Sequence, residues 1–198
     1  MGRTVISTKV HAPGVRADSV ARPRLADALD HSRHARIVLF SAPAGFGKTT
    51  LLSQWLSTAT PADDVVAWFS LDQADSDPET FWFGIVAALS AADAAGSLGL
   101  DLGSIESATA EAVVPSLVNA VSETSRTLWL VLDDYHVIES TEINEGVTAF
   151  IEHAPANLHT VVSTRVDPNM PLPRWRARGE LVELRSADLR FTLDETNE

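Results

Sequence analysis

Ile37-Val38-Leu39-Phe40-Ser41-Ala42-Pro43-Ala44-Gly45-Phe46-Gly47-Lys48-Thr49-Thr50 opens on four consecutive apolar residues and closes on a lysine framed by glycine and threonine. An unbroken apolar run of this length fits a strand buried on both faces of a parallel sheet. Gly45 and Gly47 let the backbone curl so that successive N–H groups point inward at an anion. A helix starting at Lys48 would add the positive end of its dipole to the same concavity. Lys48 then offers a mobile cation to β- and γ-phosphates, and the Thr49 hydroxyl is a ligand for Mg²⁺. The pattern is that of a phosphate-binding P-loop, with Ala42 where its first glycine is expected. Alanine is tolerable there if the residue keeps a negative φ. A glycine-rich turn with a surface lysine would share this composition, but Lys9 and Lys48 are the only lysines in the chain.

Two further strand ends carry chemistry. Leu128-Trp129-Leu130-Val131-Leu132 is apolar and runs into Asp133 and Asp134. A nucleotide with Mg²⁺ needs a carboxylate near the C-terminal edge of the sheet, where the loop also lies. Asp133 is assigned to the Mg²⁺ shell, largely through water, and Asp134 to orienting or deprotonating the attacking water. A polar cap on a strand is the bland alternative. Val161-Val162-Ser163-Thr164 ends in Arg165, whose guanidinium could reach a γ-phosphate and report its presence. Here the alternative is a salt bridge to Asp133 or Asp167.

Around these, apolar runs alternate with helical patterns. Strands are expected at 37–40, 65–69, 128–132, 160–163 and 181–184. Helices are expected at 22–30, 48–56, 78–92, 111–123 and 142–153, with a short turn or helix at 171–178 and a loop at 96–109. This alternation predicts an α/β fold, an open and mostly parallel sheet with helices on both faces. Trp68, Phe81, Trp82 and Trp129 are expected in the core. Asp72, Asp75 and Asp77 resemble a calcium loop but lack its glycine and terminal glutamate. Asp77-Pro78-Glu79 reads better as an N-cap, a first-turn proline and a dipole-matching acid. His136 follows the acidic pair and is read by default as a loop histidine.

The 198 residues allow one domain with a sizeable core. With no cysteine, disulfide frameworks and thiolate metal sites are excluded. No signal-peptide pattern or membrane-length apolar stretch is present, so a cytoplasmic location is expected. A net charge of −12 argues against direct contact with nucleic acid. Basic residues gather before the loop (Arg3, Lys9, Arg16, Arg22, Arg24, Arg33, Arg36), and none lies between Thr49 and Ser125. Thr4 to Val10 reads as an extended arm that docks on its own domain rather than on phosphate.

Nearly the whole chain resembles the ATPase module of MalT-like transcriptional activators of the LuxR family, within the STAND class of signalling ATPases. The resemblance is carried by Ile6-Ser7-Thr8-Lys9-Val10-His11-Ala12-Pro13, Arg22-Pro23-Arg24-Leu25, the loop, and Trp68-Phe69-Ser70-Leu71-Asp72. It continues through Asp77-Pro78-Glu79-Thr80-Phe81-Trp82, Leu132-Asp133-Asp134-Tyr135, Ser163-Thr164-Arg165 and Arg178-Gly179-Glu180-Leu181. It implies adenine-nucleotide binding, ATP or ADP with Mg²⁺, and slow hydrolysis at most. Ala44, Gly45, Phe46, Gly47, Lys48, Thr49 and Thr50 are the expected nucleotide contacts. Arg22 joins them because the resemblance places Val20 to Arg24 near the adenine. It also implies that the Arg165 strand lies between the loop strand and the Asp133 strand. Residues 1–30 would then be an arm and first helix against the base, and 31–198 the ATPase core. In the relatives, winged-helix, inducer-sensing and DNA-binding regions follow, and the last two bind inducer and promoter DNA.

Three rivals remain. A small-molecule kinase would need an arginine lid, for which Arg174, Arg176 and Arg178 are the only material. A GTPase would need an Asn/Thr-Lys-x-Asp element, and neither lysine sits in one. A nucleotide-binding remnant without turnover would keep the same fold.

Overall fold

Each apolar run becomes a strand. The computed structural model describes residues 5–15, 19–59, 64–93 and 109–196. Its strands are β1 (Ile37–Ser41), β2 (Val65–Ser70), β3 (Leu128–Asp133), β4 (Leu158–Thr164) and β5 (Leu181–Arg185), all paired in parallel in the order β2-β3-β4-β1-β5. Val161 therefore lies opposite Val38 on one side and Val131 on the other, so the Arg165 strand is sandwiched as expected.

The helices are α1 (Pro23–Asp30), α2 (Lys48–Ala59), α3 (Pro78–Ala92), α4 (Ala110–Glu123), α5 (Thr141–His153), α6 (Leu172–Ala177) and α7 (Leu193–Thr196). Strand side chains alternate between two cores. Val38 and Phe40 meet Leu25 and Leu29 of α1 and Leu52 and Trp55 of α2. Ile37 and Leu39 face the opposite layer, with Trp82 and Ile85 of α3, Leu117 of α4 and Phe150 of α5. Trp68, Phe81, Trp82 and Trp129 are all buried, as expected. Edge-on aromatic pairs fix the packing: Trp55 against Trp129 at 4.9 Å and Phe81 against Trp82 at 5.4 Å.

The Asp77 carboxylate accepts from the Thr80 N–H at 2.9 Å, so it caps α3 and Pro78 takes the first turn. No cluster of metal-ligating side chains occurs among the described residues. None of their helices is long and apolar enough to cross a membrane.

The arm departs from the expected extended form. Ser7–Val10 makes a 3-10 turn, because Lys9 is drawn onto Asp75 and Asp72 while lying 5.5 Å from the centre of the Phe69 ring. Docking of the basic segment on its own domain is borne out elsewhere too. Arg24 donates to Asp188 O at 2.8 Å, and Arg36 to Ala154 O at 2.7 Å. β4 begins at Leu158, two residues early, since His159 is not a polar stop. Its ring stacks on Trp129 at 4.4 Å and its Nδ1 lies 2.8 Å from Ala35 O. Most of the expected 96–109 loop falls outside the described residues.

Helix α3 approaches β2 through Gly84, where a Cβ would lie 2.1 Å from Phe69 Cζ. Gly84→Ala is expected to destabilise the fold by about 1–3 kcal/mol through overpacking, against a helix-propensity gain of at most ~1 kcal/mol. A fall in the urea midpoint with an unchanged m-value checks this, and an unchanged midpoint refutes it.

Candidate functional site

Parallel strands end on one edge of a sheet, and here β3, β4 and β1 are neighbours, so three chemically loaded strand ends share one rim. The loop leaves β1 at Ser41 and enters α2 at Lys48. Gly45 and Gly47 have φ of 85° and 72°, the left-handed region that favours glycine, as the curled loop requires. Ala42 keeps a negative φ, and its N–H donates to Thr164 O at 3.2 Å, extending the β1–β4 ladder into the loop. Ala44, Gly45, Gly47 and Thr50 are exposed, and Phe46 and Thr49 are half-buried.

Lys48 is buried at the loop's base. Its Nζ donates to Ala42 O at 2.7 Å and Pro43 O at 3.1 Å, so the ammonium already sits inside the loop. Burial pushes its pKa down, opposed by Asp134 and Asp133. Thr49 Oγ1 donates to Asp133 at 2.9 Å and 3.2 Å, joining α2 to the end of β3. Asp133 is only 3% exposed. Burial pushes its carboxyl above the ordinary range, although Thr49 and the Asp134 N–H, 3.1 Å away, favour the charged form. A buried carboxylate beside a threonine hydroxyl is a hard-oxygen donor set, and it fits Mg²⁺.

Asp134 is the only non-glycine residue with positive φ among the described residues, at φ 58° and ψ 35°. Aspartate tolerates this conformation better than most side chains. It turns the chain sharply after β3 and leaves the Asp134 carboxylate half-exposed beside the loop. Arg165, exposed at the end of β4, makes no ion pair with either Asp133 or Asp167. Asp167 instead accepts from Ser41 Oγ at 2.7 Å and from both terminal nitrogens of Arg185 at 2.9 Å. That pair holds the Asp167 carboxyl below its usual range, Arg185 contributing most. Arg165 is close enough to act electrostatically on Lys48 and on His136.

The structure thus brings Lys48, Thr49, Asp133, Asp134 and Arg165 together. Arg22 is placed differently from the phosphate contacts. It borders a cavity of about 290 Å³ between α1 and α2, with Ala21, Pro23, Leu51 and Trp55. Its guanidinium donates to Leu189 O at 2.8 Å and Arg190 O at 3.0 Å beneath the Phe191 ring. The three lid candidates are engaged too: Arg174 with Glu152, Arg176 with Glu183, Arg178 with Glu180. His136, read by default as a loop histidine, joins the cluster, and the Ser41–Asp167–Arg185 network was not foreseen from the sequence. The register that sets Ser41 opposite both Thr164 and Arg185 creates this network, and no local sequence signal announces it.

No protein-family model matches the chain. Among curated proteins it is 34% identical over 197 residues to the HTH-type transcriptional regulator MalT of Klebsiella pneumoniae, covering 98% of this chain and 21% of that protein. It is 32% identical over 198 residues to MalT of Vibrio parahaemolyticus, covering 96% of this chain and again 21% of the relative. The chain therefore spans about one fifth of the regulators it matches. Among solved structures, a Signal Transduction ATPase with Numerous Domains from Pyrococcus horikoshii with a tetratricopeptide repeat sensor superposes with TM-score 0.57 at 16% identity, over 88% of this chain and 24% of that one. The Aeropyrum pernix ORC1 protein, solved with DNA, gives TM-score 0.53 at 18% identity, over 82% of this chain and 43% of that one. These two likenesses are of fold, that of a P-loop NTPase.

Asp133→Asn removes a buried charge. Because the folded pKa of Asp133 is raised, the wild type is more stable below the ordinary carboxylate pKa and loses that increment as pH rises through the folded value. At pH 7 the variant should therefore be more stable than wild type, while any Mg²⁺ dependence of nucleotide binding weakens. Thermal melts across pH 4–8 check the first part, and an equal or lower melting temperature at pH 7 refutes it.

Proposed function

With MalT regulators as its homologues over nearly its whole length, we propose that this chain is the ATP-binding, slowly hydrolysing switch core of a transcriptional regulator of that kind. The observation that carries the proposal is the Thr49–Asp133 hydrogen bond beneath the glycine loop, with Arg165 exposed between the two strand ends. In this reading the loop amides of Ala44 to Thr49 and the Lys48 ammonium hold the β- and γ-phosphates. Thr49 and Asp133 hold Mg²⁺, which when bound neutralises phosphate charge. Asp134 accepts the proton of the attacking water. The cavity bordered by Ala21, Pro23 and Leu51 is the candidate seat of the adenine, one turn along α2 from Lys48. Arg22 would shape that seat through the segment it anchors.

Arg165 serves as the γ-phosphate sensor. Its freedom from Asp133 and Asp167 favours this over a structural ion pair. The engagement of Arg174, Arg176 and Arg178 with carboxylates weighs against a kinase with an arginine lid. Promoter DNA and inducer belong to other regions of such regulators in this proposal. A net charge of −12 leaves this chain without the basic footprint that DNA demands.

Lys48→Ala should largely abolish ATP and ADP binding without unfolding the domain, because its hydrogen-bond acceptors among the described residues are two loop carbonyls. Calorimetry with equal affinities for wild type and variant would overturn the phosphate role. Arg165→Ala should cost ATP more than ADP, by about 1.5–3 kcal/mol for a desolvated charged hydrogen bond. Equal losses for the two nucleotides would remove Arg165 as a sensor.

A further inference from the structure

Asp167 lies two residues beyond Arg165 on the exposed bend that follows β4, so chain connectivity alone keeps an acid beside the candidate sensor. The two do not pair. The Thr164 hydroxyl donates to Val166 O at 2.6 Å and bends the chain at Arg165. Asp167 reaches over β1 toward β5, where Ser41 Oγ donates to its Oδ1 at 2.7 Å and Arg185 donates to each oxygen at 2.9 Å. These two donors are neighbours because the register sets Ser41 opposite Arg185. A planar fork on both carboxylate oxygens is the strong form of an arginine–carboxylate pair. Glu183 braces the same guanidinium, accepting from Arg185 Nε at 3.2 Å. Arg185 therefore meets Asp167 already oriented, whereas Arg165 would have to give up rotamer freedom to do so. Arg185 most of all, with Ser41 and Arg176 adding to it, holds the Asp167 carboxyl below its ordinary pKa against the effect of burial. At neutral pH it is an anion, of the same sign as a phosphate.

We propose that Arg185 is a positioning residue for the sensor: it occupies the Asp167 carboxylate, which would otherwise capture Arg165, and so sets the preference for a nucleotide with a γ-phosphate over one without. The inference rests on the sensor role given to Arg165 above. Arg185 need not touch nucleotide to act in this way, since it works by removing a competitor. If Arg185 is lost, Ser41 still holds one oxygen of Asp167 near the bend, and the other oxygen is left without its partner. Arg165 is the nearest cation along the chain to take it. Every Arg165 engaged by Asp167 is one that cannot meet a γ-phosphate, so apparent affinity falls by the engaged fraction. ADP, which has no γ-phosphate, is indifferent to that competition.

Calorimetry with Mg-ATP and Mg-ADP on the 198-residue chain tests this. In Arg185→Ala, ATP affinity should fall roughly threefold to fivefold, the range of an exposed ion pair, with ADP affinity nearly unchanged. Arg185→Gln, which keeps the stem and loses the charged fork, should behave alike. Adding Asp167→Asn to either variant removes the competitor and should restore most of the ATP affinity. A merely structural role for Arg185 would lower both affinities together and give no such recovery. Equal losses for the two nucleotides, or no recovery with Asp167→Asn, overturns the inference. A second measurement needs no nucleotide. In carbon-13 titrations the Asp167 carboxyl should rise in pKa in Arg185→Ala, and rise further when Arg165→Ala is added, because Arg165 is then the partner being removed. Identical titrations in the single and double variants also overturn it. Arg165→Ala alone separates the two readings. If it weakens ATP and ADP equally, the sensor role falls and this inference with it. If it weakens ATP selectively while Arg185→Ala does not, the sensor stands and the role of Arg185 is refuted.

Discussion

The hydrogen bond from Thr49 to Asp133 joins residues 84 positions apart in the chain, and the layout of the site depends on it. It exists because two parallel strands, β1 and β3, finish on the same rim with only β4 between them. The loop must then descend into α2 at the height where β3 ends. Asp133 is the strand-end acid that Thr49, in the first turn of α2, bonds. Burial makes its charge costly, and the Thr49 hydroxyl and the Asp134 N–H compensate only in part. A carboxylate that the fold alone would keep neutral more cheaply is typical of a site kept for a cation.

The sheet was largely legible from sequence because its strands are apolar on both faces. Runs such as Ile37–Phe40 and Leu128–Leu132 need no period-two alternation to be recognised. The glycine loop was legible because its conformation forbids most side chains, and Gly45 and Gly47 stand where φ turns positive. Polar residues used for packing were not. His159 looked like a strand boundary, yet it stacks on Trp129, a contact that only the β3–β4 register creates. Lys9 was legible as a docking charge and Arg22 was expected at the nucleotide, but their partners, Asp75 and the Leu189–Arg190 carbonyls, lie 66 or more residues away. Nothing local in the arm encodes them.

Within the candidate site the same division holds. Residue types at the ends of strands follow from the sequence, whereas side-chain direction follows from how the chain leaves the strand. Asp134 shows this best. Its left-handed backbone cannot be read from Asp133-Asp134-Tyr135, because aspartate adopts that conformation without demanding it. Yet this one dihedral pair separates the two carboxylates, sending Asp133 inward against Thr49 and leaving Asp134 at the surface. Two adjacent acids of identical chemistry thereby acquire different environments. Burial raises the pKa of Asp133.

Arg165 depends on a comparable division of labour. Strand-end cations beside strand-end acids tend to pair, and a paired arginine is poorly placed to respond to a ligand. Here Asp167 is saturated by Ser41 and by the two-pronged grip of Arg185, which also holds Glu183. Asp133 is withdrawn beneath Thr49. These two carboxylates are satisfied by other donors, and the exposed guanidinium of Arg165 shares the rim with Lys48, His136 and the half-exposed Asp134. Lys48 and Arg165 repel one another across this concavity, and an anion placed between them would relieve that repulsion. A terminal phosphate is such an anion, and a diphosphate offers less charge at that point. In the proposed reading, discrimination between ATP and ADP arises from which carboxylates are already occupied.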